Sequence, residues 1–82
     1  MEHNIEKIDE AVLALLYLNT FKDKTGLRAW KGFDWDAMNR LCDKGFISNP
    51  KRKAKSVAMF EEGFEKAGTL FKKYFTLETS GV

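Results

Sequence analysis

The last third of the chain has apolar residues at the spacing of an amphipathic helix, and this periodicity limits the folds open to the chain. Acidic residues come early in this segment and basic residues late, an order that complements the helix dipole. An 82-residue chain has material for one core only, so every other element must help to cover the face of this predicted helix. Its apolar residues recur at steps of four, three, four and three: Phe60, Phe64, Ala67, Phe71 and Tyr74.

The first third predicts a second helix. Asn4 is a suitable N-cap for a helix that begins at Ile5. The stretch from Ala11 to Leu18 is apolar on all sides, so this helix is wrapped either by the core or by a second subunit. We expect it to end near residues 19–21, and the charged run 22–26 is interpreted as a connecting loop.

The middle of the chain predicts a short strand followed by a helix. Leu27 to Lys31 is too short for a helix between two glycines and suits a strand. Asp34 is a good N-cap for the next helix. Gly45 is expected to end that helix in the left-handed conformation, with Phe46 completing a Schellman motif. The predicted core face of this helix is Trp35, Met38, Leu41 and Cys42.

Two further strands, residues 46–48 and 55–59, are predicted to form a hairpin whose loop opens at Asn49 and Pro50. The predicted fold class is therefore α+β and mainly helical, in the order helix-strand-helix-strand-strand-helix with a small three-stranded sheet. Residues 1–75 are expected to form a single domain and residues 76–82 a flexible tail.

Three segments carry a family resemblance. Residues 41–47 (LCDKGFI) resemble the junction between recognition helix and wing in winged-helix regulators, and residues 57–63 (VAMFEEG) resemble the step from the wing into the final helix. Together with residues 28–35 (RAWKGFDW), the chain looks like a family of short, uncharacterised bacterial proteins of winged-helix-like build. The similarity covers about residues 8–75, and it implies a winged-helix-like fold rather than any particular function.

The chain departs from the winged-helix pattern in two places. There is room for only one helix between Asp34 and Gly45, where a DNA-binding winged helix has two. That helix begins with Asp34 and Asp36, whose carboxylates would face phosphates. Phe60 stands where the pattern has a capping Thr, which weakens the start of the last helix.

The positive charge is concentrated in one segment. Residues 1–43 hold six basic and eight acidic residues, residues 44–60 hold five basic and no acidic ones, and residues 61–82 hold three and four. A basic wing of this kind could contact phosphates; the alternative is a merely solvated, aggregation-resistant turn. Arg28, Lys31 and Arg40 could extend the patch, but pairing with Asp34, Asp36 and Asp43 is favoured. The candidate nucleic-acid-binding residues are Lys44, Lys51, Arg52, Lys53, Lys55 and Arg40.

A protein partner, or a second copy of the chain, is the alternative to nucleic acid. Strand alternation would leave Trp30 exposed, and exposed aromatics can anchor a partner or stack on bases; otherwise both tryptophans cover the edge of the core. The predicted homodimer would form through the first helix and the aromatic face of the last. The candidate partner-binding residues are Leu13, Leu16, Tyr17, Trp30 and Trp35.

No catalytic, metal or cofactor site is predicted. Cys42 is interpreted as a small core residue, and His3 lies in a segment that should fray, so no nucleophile has a base. One cysteine and one histidine cannot hold a structural zinc. No apolar stretch reaches the roughly 20 residues of a membrane span, and the start lacks the basic, apolar pattern of a secretory signal. We expect a non-enzymatic, cytoplasmic protein.

Overall fold

The computed structural model describes residues 2–77. Three helices and a three-stranded antiparallel sheet confirm the predicted α+β class. Residues 76 and 77 follow the last helix without regular structure, and the rest of the predicted tail lies outside the described residues. The elements are α1 (Ile5–Leu18), β1 (Thr20–Asp23), β2 (Gly26–Trp30), α2 (Trp35–Asp43), β3 (Ser56–Ala58) and α3 (Glu61–Phe75).

Helix α1 is the centre of the core. It begins as predicted, because the Asn4 side chain accepts a hydrogen bond from the Lys7 amide at 3.1 Å. The centre of its all-round apolar stretch is covered by the chain itself, since Ala14 and Leu16 are fully buried, whereas Leu18 at its end is 63% exposed. Packing within one chain therefore accounts for the centre of the stretch and leaves its last residue open.

Helix α3 packs against α1 through aromatic rings. The Tyr17 ring lies 5.2 Å from Phe64 and 5.4 Å from Phe71, measured between centroids. Gly68 lets the Tyr17 ring approach closely, since a Cβ there would lie 3.0 Å from Cε1. The predicted stripe is buried at Ala67 but not at its first position, Phe60, which is 47% exposed.

The sheet has the order β1-β2-β3. Its first strand was not predicted, because the charged run 22–26 was interpreted as a loop and residues 19–21 as the helix end. The run is a tight hairpin instead: Asp23 Oδ1 accepts bonds from the Thr25 amide at 2.8 Å and the Thr25 hydroxyl at 2.6 Å. Gly26 follows with φ of 114°, a conformation that favours glycine.

The hairpin predicted after α2 is mostly loop. Residues 46–48 form no strand, although Ile47 makes an isolated bridge with Met59 and the Ser48 amide donates to the Ala58 carbonyl at 3.0 Å. The third strand, β3, pairs with β2 instead. Instead of the predicted strand 46–48, the structure has a short contact with residues 58 and 59, which holds the start of the loop that follows.

Helix α2 has the predicted ends. Asp34 caps it by accepting from the Ala37 amide at 3.0 Å. The Phe46 amide donates to Leu41 and the Gly45 amide to Cys42, which is the Schellman pattern. Its core face differs from the prediction, because Ala37 is fully buried while the predicted core residue Trp35 is 50% exposed.

Candidate nucleic-acid interface

The predicted basic wing is an exposed loop, which we call the basic loop (residues 49–55). Its bases extend into solvent, and within residues 2–77 none of them lies within 4.0 Å of a carboxylate. Asp43 lines the same shallow cavity as Lys51 without pairing with it. The loop therefore presents four uncompensated positive charges: Lys51, Arg52, Lys53 and Lys55.

The backbone of the basic loop is held by Lys31 on the sheet side and by a hydrogen bond within the loop itself. The Lys31 ammonium group donates to the Pro50 carbonyl at 2.6 Å and to the Arg52 carbonyl at 2.5 Å. Asn49 Oδ1 accepts from the Lys51 amide at 2.9 Å, and the Pro50 side chain is buried. An ordered loop loses less conformational entropy when its charges engage a ligand.

One face of the sheet packs on α1, and we call the opposite one the outer face (Phe21, Arg28, Trp30, Ser56 and Ala58). Phe21 pairs with Arg28 across β1 and β2, so both side chains leave the sheet on this side. Trp30, two residues on, is 53% exposed and stacks on Phe21 with centroids 4.7 Å apart. The outer face thus presents an open aromatic surface beside an arginine.

Arg28 joins the strands across this face. Its Nε donates to the Ser56 hydroxyl at 2.8 Å and its Nη2 to the Ser56 carbonyl at 2.9 Å. Asp23 lies 4.0 Å from the guanidinium. The pKa of Asp23 is lowered, first by the hydrogen bonds from Thr25 and then by Arg28. The charge of Arg28 is therefore partly compensated.

A groove connects the basic loop with the outer face. It has a volume of about 530 Å³ and is bordered by Arg28 and Ala58 on the sheet and by Arg52 and Ala54 on the loop. The exposed ring of Phe60 also borders the groove. Phe21 and Phe60 were not predicted as surface residues, because both were assigned to helices, and only the pairing of β1 with β2 places Phe21 beside Trp30.

The structure places Arg40 and Lys44 away from the groove. Asp9 is 2% exposed, and Arg40 donates to both of its carboxylate oxygens, at 2.7 Å and 2.8 Å. This bond raises the pKa of Arg40. The Lys44 ammonium lies 3.7 Å from the same carboxylate. The prediction of Arg40 as a phosphate contact is corrected accordingly: its guanidinium completes a buried ion pair between α1 and α2.

Some of the predicted partner-binding residues are buried in the fold, and others are exposed. Leu13 and Leu16 are 1% and 0% exposed, so their assignment to a partner surface is wrong. Tyr17 is half-buried against the aromatic rings of α3. Trp30 and Trp35 are both half-exposed, on the outer face and at the start of α2 respectively, and neither is a core residue.

The remaining candidates add no second site. Cys42 is half-buried and borders the groove. Among residues 2–77, no cluster of three or more histidine, cysteine or acidic residues is placed to hold a metal ion. In the same part of the chain, no helix has both the length and the apolar character needed to cross a bilayer.

Comparison with known proteins assigns the family. The family described as a domain of unknown function, DUF6429, matches residues 4–77, and the chain belongs to it. The chain is similar to the uncharacterised protein y4hR of the bacterium Sinorhizobium fredii (strain NBRC 101917 / NGR234). The two are 43% identical over 76 residues, which cover 93% of this chain and 99% of the relative. The predicted resemblance to short, uncharacterised bacterial proteins is confirmed. No solved structure matches the chain.

Proposed function

We propose that this protein is a non-catalytic, winged-helix-like module of the bacterial cytoplasm that binds nucleic acid through the basic loop. The observation that carries the proposal is the absence of carboxylate partners, among the described residues, for Lys51, Arg52, Lys53 and Lys55. Exposed, unpaired bases on one loop can neutralise successive phosphates and release their counterions.

The loop supports this role better than α2 does. Its backbone is held in place by Lys31, so the loop loses less conformational entropy when it binds a ligand. Helix α2 presents the exposed carboxylates of Asp34 and Asp36 at its first turn. These would repel the phosphates that flank a groove, and we therefore assign no reading role to α2.

The test is a salt titration of binding, with a duplex and a single-stranded oligonucleotide as separate ligands. Four phosphate contacts predict a loss in affinity between about 50 and 200 mM salt of about 50-fold for the single strand and about 150-fold for the duplex. Neutralising the loop should flatten the logarithmic salt slope by about three. The variant carries the substitutions Lys51→Gln, Arg52→Gln, Lys53→Gln and Lys55→Gln.

A matched control removes the same number of charges elsewhere. It should leave the slope within about one of that of the natural chain, because its lysines lie on α1 and α3, away from the groove. Equal losses in the two variants, or no binding by the natural chain at low salt, would refute the proposal. The control carries Lys7→Gln, Lys66→Gln, Lys72→Gln and Lys73→Gln.

A second candidate is a protein-interaction module, and one observation favours it. Ile5 and Ile8 are 51% and 37% exposed and border an open cavity of about 470 Å³. The apolar centre of α1, which suggested a dimer, is buried within the chain instead. Light scattering at micromolar concentration tests the self-association form: a dimer that Ile5→Lys and Ile8→Lys dissociate supports it, and a monomer refutes it.

A further inference from the structure

We infer that the nucleic acid bound here is single-stranded, an inference that rests on the proposed function. Its backbone lies along the basic loop, and one of its bases stacks on Trp30. The inference is carried by a half-exposed indole, supported by Phe21, on the strand next to the basic loop, whose four bases have no carboxylate partner among residues 2–77. Aromatic faces and a positive groove are the two components that bind single strands without reading a sequence.

The loop and Trp30 are linked by direct contacts. Trp30 pairs with Ser56, the first residue of the strand into which the loop runs. The Lys31 amide donates to the Lys55 carbonyl at 3.3 Å, directly beside Trp30 in the chain. A backbone that follows the loop therefore passes the outer face, and its bases can turn towards the sheet.

The Trp30 ring is suited to stacking. One of its faces is covered by Phe21 at 4.7 Å, and the interplanar angle is 30°, so the indole is supported in a fixed orientation. The side chain remains 53% exposed. An unpaired base can cover the remaining apolar surface, whereas the bases of a duplex are already stacked on one another.

Charge complementarity favours this ligand over an acidic protein. The loop's charges occupy four of the five positions from 51 to 55, a density that suits a polymer with a phosphate at every step. The groove beside the loop also presents two arginines, Arg28 and Arg52, among its lining residues, and guanidinium groups suit phosphates. A folded protein partner would need a larger apolar contact than one tryptophan provides.

The experiment uses the full chain and two single-tryptophan variants, with an oligothymidylate of about twelve nucleotides as probe. In Trp35→Phe, the remaining Trp30 should be quenched on titration. In Trp30→Phe, the remaining Trp35 should not respond. Both residues keep an aromatic ring, so the readout survives if a larger truncation unfolds the chain.

Affinity provides the second readout. Trp30→Ala should weaken oligothymidylate binding by at least about five-fold. The matched control Trp35→Ala, which removes an equally exposed tryptophan, should change it by less than about two-fold. A mixed-sequence duplex of equal length should bind more weakly than the single strand at the same salt concentration.

These experiments distinguish a failure of base stacking on Trp30 from a failure of nucleic-acid binding through the basic loop. If the duplex binds as tightly as the single strand, or if Trp30→Ala matches Trp35→Ala while loop neutralisation abolishes binding, the stacking inference is overturned and the proposed function stands. If neither ligand binds the natural chain at low salt, both claims fail. A quench that appears equally at Trp35 would also overturn the inference.

Discussion

The Asp9 carboxylate on α1 is bound on both oxygens by Arg40 of α2, although Asp9 is 2% exposed and the two residues are 31 positions apart. A buried carboxylate of this kind depends on its partner, because the loss of one side leaves an uncompensated charge in the core. The pair fixes α2 against α1 and thereby the start of the loop that follows α2.

We expect Arg40→Met to lower the free energy of unfolding, though by less than the loss of a fully buried pair costs, because the Arg40 side chain is 33% exposed and Lys44 remains 3.7 Å from Asp9. Urea unfolding measures this change. Arg52→Met, which removes an exposed arginine without a carboxylate partner, should cost less than about 0.5 kcal/mol. The double change Asp9→Leu with Arg40→Met should regain most of the loss. Equal effects of the two single arginine changes would contradict this role for Arg40.

Tyr74 and Glu10 predict a specific pH dependence. The Tyr74 hydroxyl donates to Glu10 Oε1 at 2.6 Å, which is the largest cause of the lowered pKa of Glu10 and of the raised pKa of Tyr74. A lowered carboxyl pKa adds stability above its ordinary value of 4.5, and this is lost as the pH falls through the folded-state pKa. A raised tyrosine pKa adds stability below 10.0, which is lost as the pH rises through its folded-state value.

Tyr74→Phe should therefore be less stable than the natural chain near neutral pH, and the difference should shrink at both extremes. Thermal unfolding across the pH range measures it. The control is Tyr17→Phe, the other tyrosine, whose described contacts are with aromatic rings. A stability difference for Tyr74→Phe that stays constant from pH 3 to 7, in roughly the titration range of carboxyl groups, would rule out this coupling.

Gly63 is required where α3 begins. A Cβ at this position would lie 2.1 Å from the Phe46 carbonyl oxygen, and backbone cannot move aside as a flexible side chain does. Gly63→Ala should destabilise the protein by about 1–3 kcal/mol or more, despite the better helix propensity of alanine. Gly32→Ala is the control, since no atom lies within 4 Å of its Cβ position. A Gly63→Ala protein as stable as the natural chain would show that the two segments are not in this contact.

Lys31 is expected to order the basic loop rather than to bind ligand. Without its ammonium group, the Pro50 and Arg52 carbonyls lose their charged donor. Lys31→Met should therefore speed tryptic cleavage within residues 51–55, as followed by mass spectrometry. Lys24→Met, in the exposed turn between β1 and β2, should leave the cleavage rate unchanged. Unchanged cleavage in Lys31→Met would show that the loop is ordered by other contacts.

Local signals in the sequence were sufficient for much of the fold. The caps at Asn4 and Asp34 and the glycine end at Gly45 depend on side chains and backbone angles within a few residues, so they could be predicted one at a time. The charge excess of residues 44–60 was likewise visible directly. The hairpin at β1 was missed because a run of charges also suits a loop, and only pairing with β2 distinguishes the two.

The contacts within and around the candidate site could not be predicted from the sequence. Charge alone grouped Arg40 with the loop bases, but Asp9, 31 residues earlier, binds it in the folded chain. Similarly, Phe21 and Trp30 meet only because β1 and β2 pair in one register. Composition, periodicity and capping act over short distances along the chain and determine which elements form. The partners of each charge and ring are set by contacts between distant residues, and only the tertiary structure determines them.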